Sequence, residues 1–222
     1  MKFKNYLTEG VYDPAIFKAI FLAGGPGSGK SYVASKVTGG HGLRVVNSDD
    51  VFEKMLRDAG LEPSPEDIYS DKGQDIRGKA KNTSSSMMSN YIRNRLGVVI
   101  DGTGKDFDKI KKQSEMLKDL GYDTFMIFVN TSLDVAQERN QLRPRQLDPK
   151  EVERMWKGVQ NNIGKFQSYF GGSNFIVVDN NDATEDVFNK VWKYVMKETK
   201  KEPKNHIAKE WIENELSNKR RS

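Results

Sequence analysis

The nine residues AGGPGSGKS, 23–31, constrain this chain more than any others. Four glycines and a proline disfavour both helix and strand there. Yet the apolar run AIFLA, 19–23, leads straight in, and SYVASKV, 31–37, follows with helical composition. Gly24, Gly29, Lys30 and Ser31 satisfy G-x-x-x-x-G-K-[ST] in the strand–loop–helix setting that motif requires. The physical reason is that glycines let backbone N–H groups turn inward around a phosphate, and the following helix adds the partial positive charge of its N-terminus. Gly24, Gly25, Pro26, Gly27, Ser28, Gly29, Lys30, Ser31 and Tyr32 are therefore the expected nucleotide-contacting set. Lys30 would reach the β- and γ-phosphates, and the Ser31 hydroxyl a Mg²⁺ ion. The expected cofactors are ATP and Mg²⁺.

The remaining pattern alternates. Short, almost continuously apolar runs at 19–23, 43–46, 98–100, 124–129 and 175–178 read as strands buried on both faces. Segments of helical period lie between and after them, at 31–37, 51–59, 74–96, 107–120, 133–142, 149–170 and 184–200. Strand alternating with helix implies crossover connections and a parallel sheet covered on both sides. The acidic stretch LEPSPEDIYSDKG, 61–73, with two prolines, reads as a surface loop.

Composition removes several alternatives. The chain has 222 residues, enough for one core, and no cysteine, which excludes disulfides and thiolate metal sites; two histidines argue against a histidine-built one. The longest apolar runs are five residues, far short of the roughly 20 that span a bilayer. No membrane role and a cytoplasmic location are expected. The net charge of +5 is concentrated from residue 193 onward, where nine basic side chains face five glutamates, so a broad phosphate-tracking surface is not implied. The expected organisation is a lead-in at 1–16, a catalytic domain at 17–200 and a basic tail at 201–222. Within that tail, HIAKEWIENEL has apolar side chains at helical spacing and fits either a docked helix or a solvated appendage.

Phosphate-binding loops serve GTPases, motors and kinases alike, so the other strand ends must decide. No N-K-x-D is present to read guanine, and GVVI is followed by Asp101 and Gly102 rather than by an acidic pair that would activate water. Transfer of the γ-phosphoryl group to a bound acceptor remains. That needs a carboxylate at the acceptor hydroxyl. The strand LRVV runs into Asn47, Ser48, Asp49 and Asp50. Asp49 is the candidate base and Asp50 a candidate acceptor contact; Asp50 and Glu53 also have capping-box spacing, so one aspartate can cap the next helix. Asp101, Thr103 and Lys105, after the third strand, are candidates for the acceptor floor, with Asp101 also reaching the metal. Positive charge over the transferring group would come from Arg139 and Arg143, four apart on one helical face, and Arg145 just past Pro144.

The order AGGPGSGKS, VVNSDD, GVVIDGTGKDFDKIKKQSEMLKDLGYDTFMIFVN and an arginine-bearing lid resembles the zeta-toxin and polynucleotide-kinase branch of P-loop kinases, over roughly residues 17–195. The stretch 97–130 is most similar to the zeta-toxin group. The resemblance implies an α/β, three-layer P-loop NTPase fold with a five-stranded parallel sheet of order 2-3-1-4-5. It also implies Lys30 and Ser31 at ATP and magnesium, Asp49 as base, the lid arginines at the γ-phosphate, and residues 178–181 near adenine. Zeta-like members phosphorylate nucleotide-activated amino sugars, and the polynucleotide branch 5′-hydroxyl ends; the acceptor is thus a nucleotide-sugar-like small molecule or a nucleic-acid end. A non-catalytic, ATP-switched binding protein is the reading from another class, and the sequence identifies no protein partner. This chain departs from the branch at three places: Phe52 replaces an arginine three residues past the base, Asp101 a glutamate, and Lys105 an arginine. Separately, MKFKNYLTEG resembles the targeting peptides of phage internal capsid proteins, cut here between Glu9 and Gly10; an amphipathic lead-in is the plainer reading. The targeting reading implies a phage protein packaged in the virion and released into the host cytoplasm.

Overall fold

A computed structural model of the chain describes residues 10–143 and 146–221. The proposed targeting peptide, 1–9, and Arg145 lie outside the described residues. Five parallel strands form one sheet: β1 (Lys18–Ala23), β2 (Arg44–Val46), β3 (Val98–Asp101), β4 (Asp123–Asn130) and β5 (Phe175–Asp179), in the order β2-β3-β1-β4-β5. This is the order implied by the resemblance. The central strand β1 is buried along its whole length, which is why its sequence is apolar without alternation.

Successive side chains of β1 feed opposite cores. Ala19, Phe21 and Ala23 join Phe17, Val98, Phe128 and Phe166 on one face, while Ile20 and Leu22 join Val33, Val37, Val99, Val129 and Phe188 on the other. Each fully buried Phe or Leu here contributes about 1.5–3 kcal/mol of transfer free energy. Helices α1 (Lys30–Thr38) and α9 (Glu185–Thr199) cover the second face. On the first lie α5 (Phe107–Asp119) and α8 (Ile163–Phe170), with α7 (Pro149–Gln160) and α6 (Leu133–Gln141) arching over the carboxyl ends of the strands.

Between β2 and β3 the chain makes a helical arm of α2 (Ser48–Asp58), α3 (Pro65–Tyr69) and α4 (Asp71–Arg93), with its own small core of Phe52, Leu56, Ile68, Ile76 and Ala80. The surface loop expected at 61–73 is instead partly helical. Ser64 accepts the Asp67 N–H and Pro65 occupies the first turn, so α3 has a proper start. The helix expected at 149–170 is two helices, because Asn162 turns inward to donate to the carbonyls of Gly104 (3.0 Å) and Lys105 (2.9 Å).

The segment HIAKEWIENEL folds as part of α10 (His206–Arg221), whose Trp211 meets Phe17 edge-on at 5.5 Å and whose Ala208 is buried in the first core. It docks beneath the start of β1. There Lys18, itself buried, pairs with Asp123 at 2.7 Å, and Asp123 also accepts the Lys204 N–H.

Candidate functional site

The loop between β1 and α1 has the geometry of an anion nest. Gly27 and Gly29 adopt φ of 73° and 74°, in the left-handed region that side chains with a Cβ rarely enter. A Cβ on Gly27 would run into the backbone of Ala136, and one on Gly29 into Asn180 Nδ2. At Gly24 it would stand 2.6 Å from Ser28 Oγ and 2.9 Å from the Val129 carbonyl. Glycine is thus required three times, by conformation or by close approach. The first-turn N–H groups of α1 have no partner inside the helix. Ser28 Oγ is buried with no protein partner, and a phosphate oxygen in the nest fits both needs.

Lys30, first residue of α1, pairs with Oδ1 of Asp101, the last residue of β3; the other carboxylate oxygen accepts from Asn47 Nδ2 at 2.9 Å. Asn47 Oδ1 in turn accepts the N–H of Asp49 at 2.8 Å. One side chain therefore caps α2 and ties it to the lysine–carboxylate pair. The expectation that Asp49 or Asp50 would cap this helix is corrected: Asn47 does so, which leaves both carboxylates free in the exposed first turn. Partial loss of hydration raises the Asp50 carboxyl above the ordinary carboxylate value even in this exposed turn, as do Asp101 and Asp49, with Lys30 pulling the other way. Asp50 thus shares the electric field of the Lys30–Asp101 pair.

The remaining expected residues are distributed unevenly. Thr103 is exposed, and its carbonyl accepts the Gly24 N–H at 3.1 Å, holding the β3 turn against the nest. Lys105 lines a separate hollow of about 500 Å³ between the start of α5 and α7–α8, with Arg154 and Lys165. Arg139 lies on the nest's outer side, donating to the carbonyls of Asn181 (3.1 Å) and Gly27 (3.4 Å). With Tyr32, Asn180 and Phe188 it lines a hollow of about 410 Å³. Helix α6 ends at Gln141, so Arg143 falls beyond it, exposed, and does not continue the helical face expected to carry it with Arg139.

Four residues take supporting roles that the sequence reading did not assign. Asn180 is buried and donates to the Ser28 carbonyl at 2.7 Å, bracing the nest from beneath. Asn140 clamps both ends of the lid loop, giving Nδ2 to the Leu147 carbonyl at 2.8 Å and accepting its N–H at 3.0 Å. Trp156, its indole donating to the Thr131 carbonyl at 2.8 Å, approaches Gly25 from α7. Asn47 is the fourth. An asparagine's signal in sequence is weak, since turns and caps use it everywhere.

The family model of the AAA domain matches residues 20–160, well over half of the chain, and spans the nest, the acid pair, Asp101 and Arg139. The chain belongs to the AAA domain family. No curated protein matches it. Among solved structures, this AAA-domain protein is similar to one from Chloroflexus aurantiacus J-10-fl (TM-score 0.58, 16% identity, 82% of this chain and 94% of that one). It is also similar to the PezAT chromosomal toxin–antitoxin system of Streptococcus pneumoniae (0.52, 16%, 89% and 86%) and to the shikimate kinase of Aquifex aeolicus VF5 (0.50, 17%, 81% and 97%). At these identities the likeness establishes a P-loop kinase-like fold. No helix among the described residues is long and apolar enough to cross a membrane.

The residues present fit Mg²⁺·ATP. Among the described residues no cluster of three or more metal-ligating side chains exists.

Proposed function

We propose that this protein is an ATP- and Mg²⁺-dependent kinase that phosphorylates a hydroxyl of a small, nucleotide-sugar-like acceptor. The observation that carries the reading is the Asn47 bridge, which ties the first turn of α2, where Asp49 and Asp50 stand, to the lysine of the phosphate nest through Asp101. A hydrolytic motor has no need of acids on a separate helical arm, whereas a kinase must bring an acceptor's oxygen in line with the γ-phosphorus.

Each residue then has a task. The nest orients the β- and γ-phosphates, with Lys30 moving from Asp101 to the phosphate oxygens. Ser31 and Asp101 would hold Mg²⁺, which would neutralise charge on the phosphate oxygens. An aspartate of the pair accepts the acceptor's hydroxyl proton. Asp49 is the sequence candidate, and the field it shares with Lys30 and Asp101 favours Asp50. The hollow lined by Tyr32, Arg139, Asn180 and Phe188 suits the base, next to residues 178–181. Arg143 and Arg145, on the lid, are the candidates for the γ-phosphate; Arg139 already grips the nest.

The acceptor class draws support from the zeta-like segment at 97–130 and from likeness to the toxin–antitoxin and shikimate kinase structures. Labelled ATP supplied with a uridine diphosphate amino sugar, shikimate and a 5′-hydroxyl oligonucleotide tests it. Label should move to a small molecule, and Asp49→Asn or Asp50→Asn should abolish transfer while sparing ATP binding. Label on the oligonucleotide alone would make the protein a polynucleotide kinase. Binding without transfer to any acceptor would make it a nucleotide-switched binding protein.

A further inference from the structure

Asn162 begins α8 and occupies the N-cap position, where an asparagine ordinarily turns its side-chain oxygen onto the first N–H groups of its own helix. Here it makes no such bond. The side chain, 5% exposed, reaches across the fold and donates its amide to two successive carbonyls, Gly104 at 3.0 Å and Lys105 at 2.9 Å. A local preference set aside in this way marks a place where a distant contact matters more.

The turn that Asn162 holds, residues 101–105, carries Asp101, Thr103 and Lys105. One side of it is stitched to β1 and the nest. The Gly102 N–H donates to the Leu22 carbonyl at 3.1 Å, the Thr103 carbonyl accepts the Gly24 N–H at 3.1 Å, and a Cβ on Gly104 would stand 2.8 Å from that of Ala23. Among the described residues, Asn162 is the only side chain that bonds the backbone of this turn. Its anchor is firm, because α7 is itself tied to the end of β4: the Trp156 indole donates to the Thr131 carbonyl at 2.8 Å and Gln160 Nε2 to Asn130 Oδ1 at 2.7 Å. Since β3 and β4 flank β1, α7 and its bend brace the turn against the strand that enters the phosphate loop. Thr103 and Lys105 are exposed, so their own packing does little to fix them.

We propose that Asn162 is a positioning residue for phosphoryl transfer: by fixing the turn 101–105 from the α7–α8 bend, it sets where Thr103 and Lys105 meet the acceptor relative to the nest. Transfer depends steeply on such placement, a shift of about 1 Å costing roughly a hundred-fold in rate. The role in transfer rests on the kinase reading; the tie between Asn162 and the turn does not.

The test compares Asn162→Ala, which removes both bonds, with Ser114→Ala, which removes a buried bond to Thr124 Oγ1 (3.0 Å) away from the turn. The acceptor is whichever of a uridine diphosphate amino sugar, shikimate and a 5′-hydroxyl oligonucleotide the parent phosphorylates fastest. In Asn162→Ala its kcat/KM should fall roughly ten- to a hundred-fold, through a higher acceptor KM as well as a lower kcat. Mg²⁺·ATP should bind within about two-fold of the parent by calorimetry. Asn162→Asp keeps the shape of the side chain and loses the donors, so it should transfer no better than the alanine variant, whereas a residue that only fills space would be rescued by it. Hydrogen exchange followed by NMR needs no acceptor: the Gly102 N–H should exchange roughly ten-fold faster in Asn162→Ala than in Ser114→Ala. Transfer by Asn162→Ala equal to that of Ser114→Ala, or equal exchange at Gly102, would overturn the proposal. A loss of ATP affinity as large as the loss of transfer would overturn it too, since the residue would then act on the nest. A parent that phosphorylates none of the three acceptors sinks the kinase reading and the role in transfer with it, while the exchange result still decides the tie to the turn.

Discussion

Replacing Gly29 by alanine probes how the nest is built. At φ of 74° an alanine in place of glycine costs about 1–2 kcal/mol. Its Cβ would also collide with Asn180 Nδ2, which must move and give up its bond to the Ser28 carbonyl. Leaving that buried carbonyl unpaired adds about 1–3 kcal/mol. The expected loss for Gly29→Ala is therefore about 2–5 kcal/mol, read from urea unfolding followed by tryptophan fluorescence. Asn180→Ala alone should cost about 1–3 kcal/mol through the same lost bond. Because the two substitutions share one hydrogen bond and one clash, the double variant should be less destabilised than the sum by about 1 kcal/mol or more. Gly29→Ala within about 0.5 kcal/mol of the parent, the spread of an ordinary surface change, or strict additivity in the cycle, would refute this description of the nest.

Further expectations concern the arm, the lid and a buried histidine. Asn47→Ala removes the cap of α2 and the bond to Asp101, costing about 1 kcal/mol of stability and a larger fraction of phosphoryl transfer; Asn47→Ser, which keeps a capping oxygen but cannot reach Asp101, should restore stability and not transfer. Asn140→Ala removes both bonds that hold Leu147, so subtilisin should cut between residues 141 and 148 faster than in the parent. His41 is buried against Trp192, and burial together with the Lys200 charge lowers its pKa below 6.5. The unfolded chain then takes up this proton first, so the stability contributed by neutral His41 is complete above pH 6.5. It is lost as pH falls from there toward the folded value, by at most about 1.4 kcal/mol per pH unit. His41→Phe should flatten the dependence in chemical unfolding at pH 7.5 and 5.5.

Much of the fold was legible because burial on two faces writes itself as short apolar runs; β1, β3, β4 and β5 stand where AIFLA, VVI, TFMIFV and FIVV placed them. Strand order was not, since nothing in the spacing of apolar runs says which strands pair, and it came with the resemblance alone. Local errors have local causes. Asp50 and Glu53 imitate a capping box, which hid the cap at Asn47. Ser64–Pro65, a fair helix start, was outweighed by its prolines and acids. The bend at Asn162 carries neither glycine nor proline, because a long-range contact with Gly104 and Lys105 makes it. The glycines of the loop at 24–29 were legible individually, since left-handed backbone and close approach at Gly24, Gly27 and Gly29 leave few other choices. The bracing by Asn180 and the clamp at Asn140 were not, since these roles exist only once separate segments meet.

The central claim is that residues 24–31 hold the terminal phosphates of ATP through Lys30. Titrating Mg²⁺·ATP into the protein and into Lys30→Met by calorimetry, with Trp156 fluorescence beside Gly25 as a second signal, tests it most directly. The expected result is one site per chain in the parent, and affinity reduced at least roughly ten-fold in the variant, whose far-UV spectrum is unchanged. Equal affinity in the two proteins, or no binding to the parent, would contradict it.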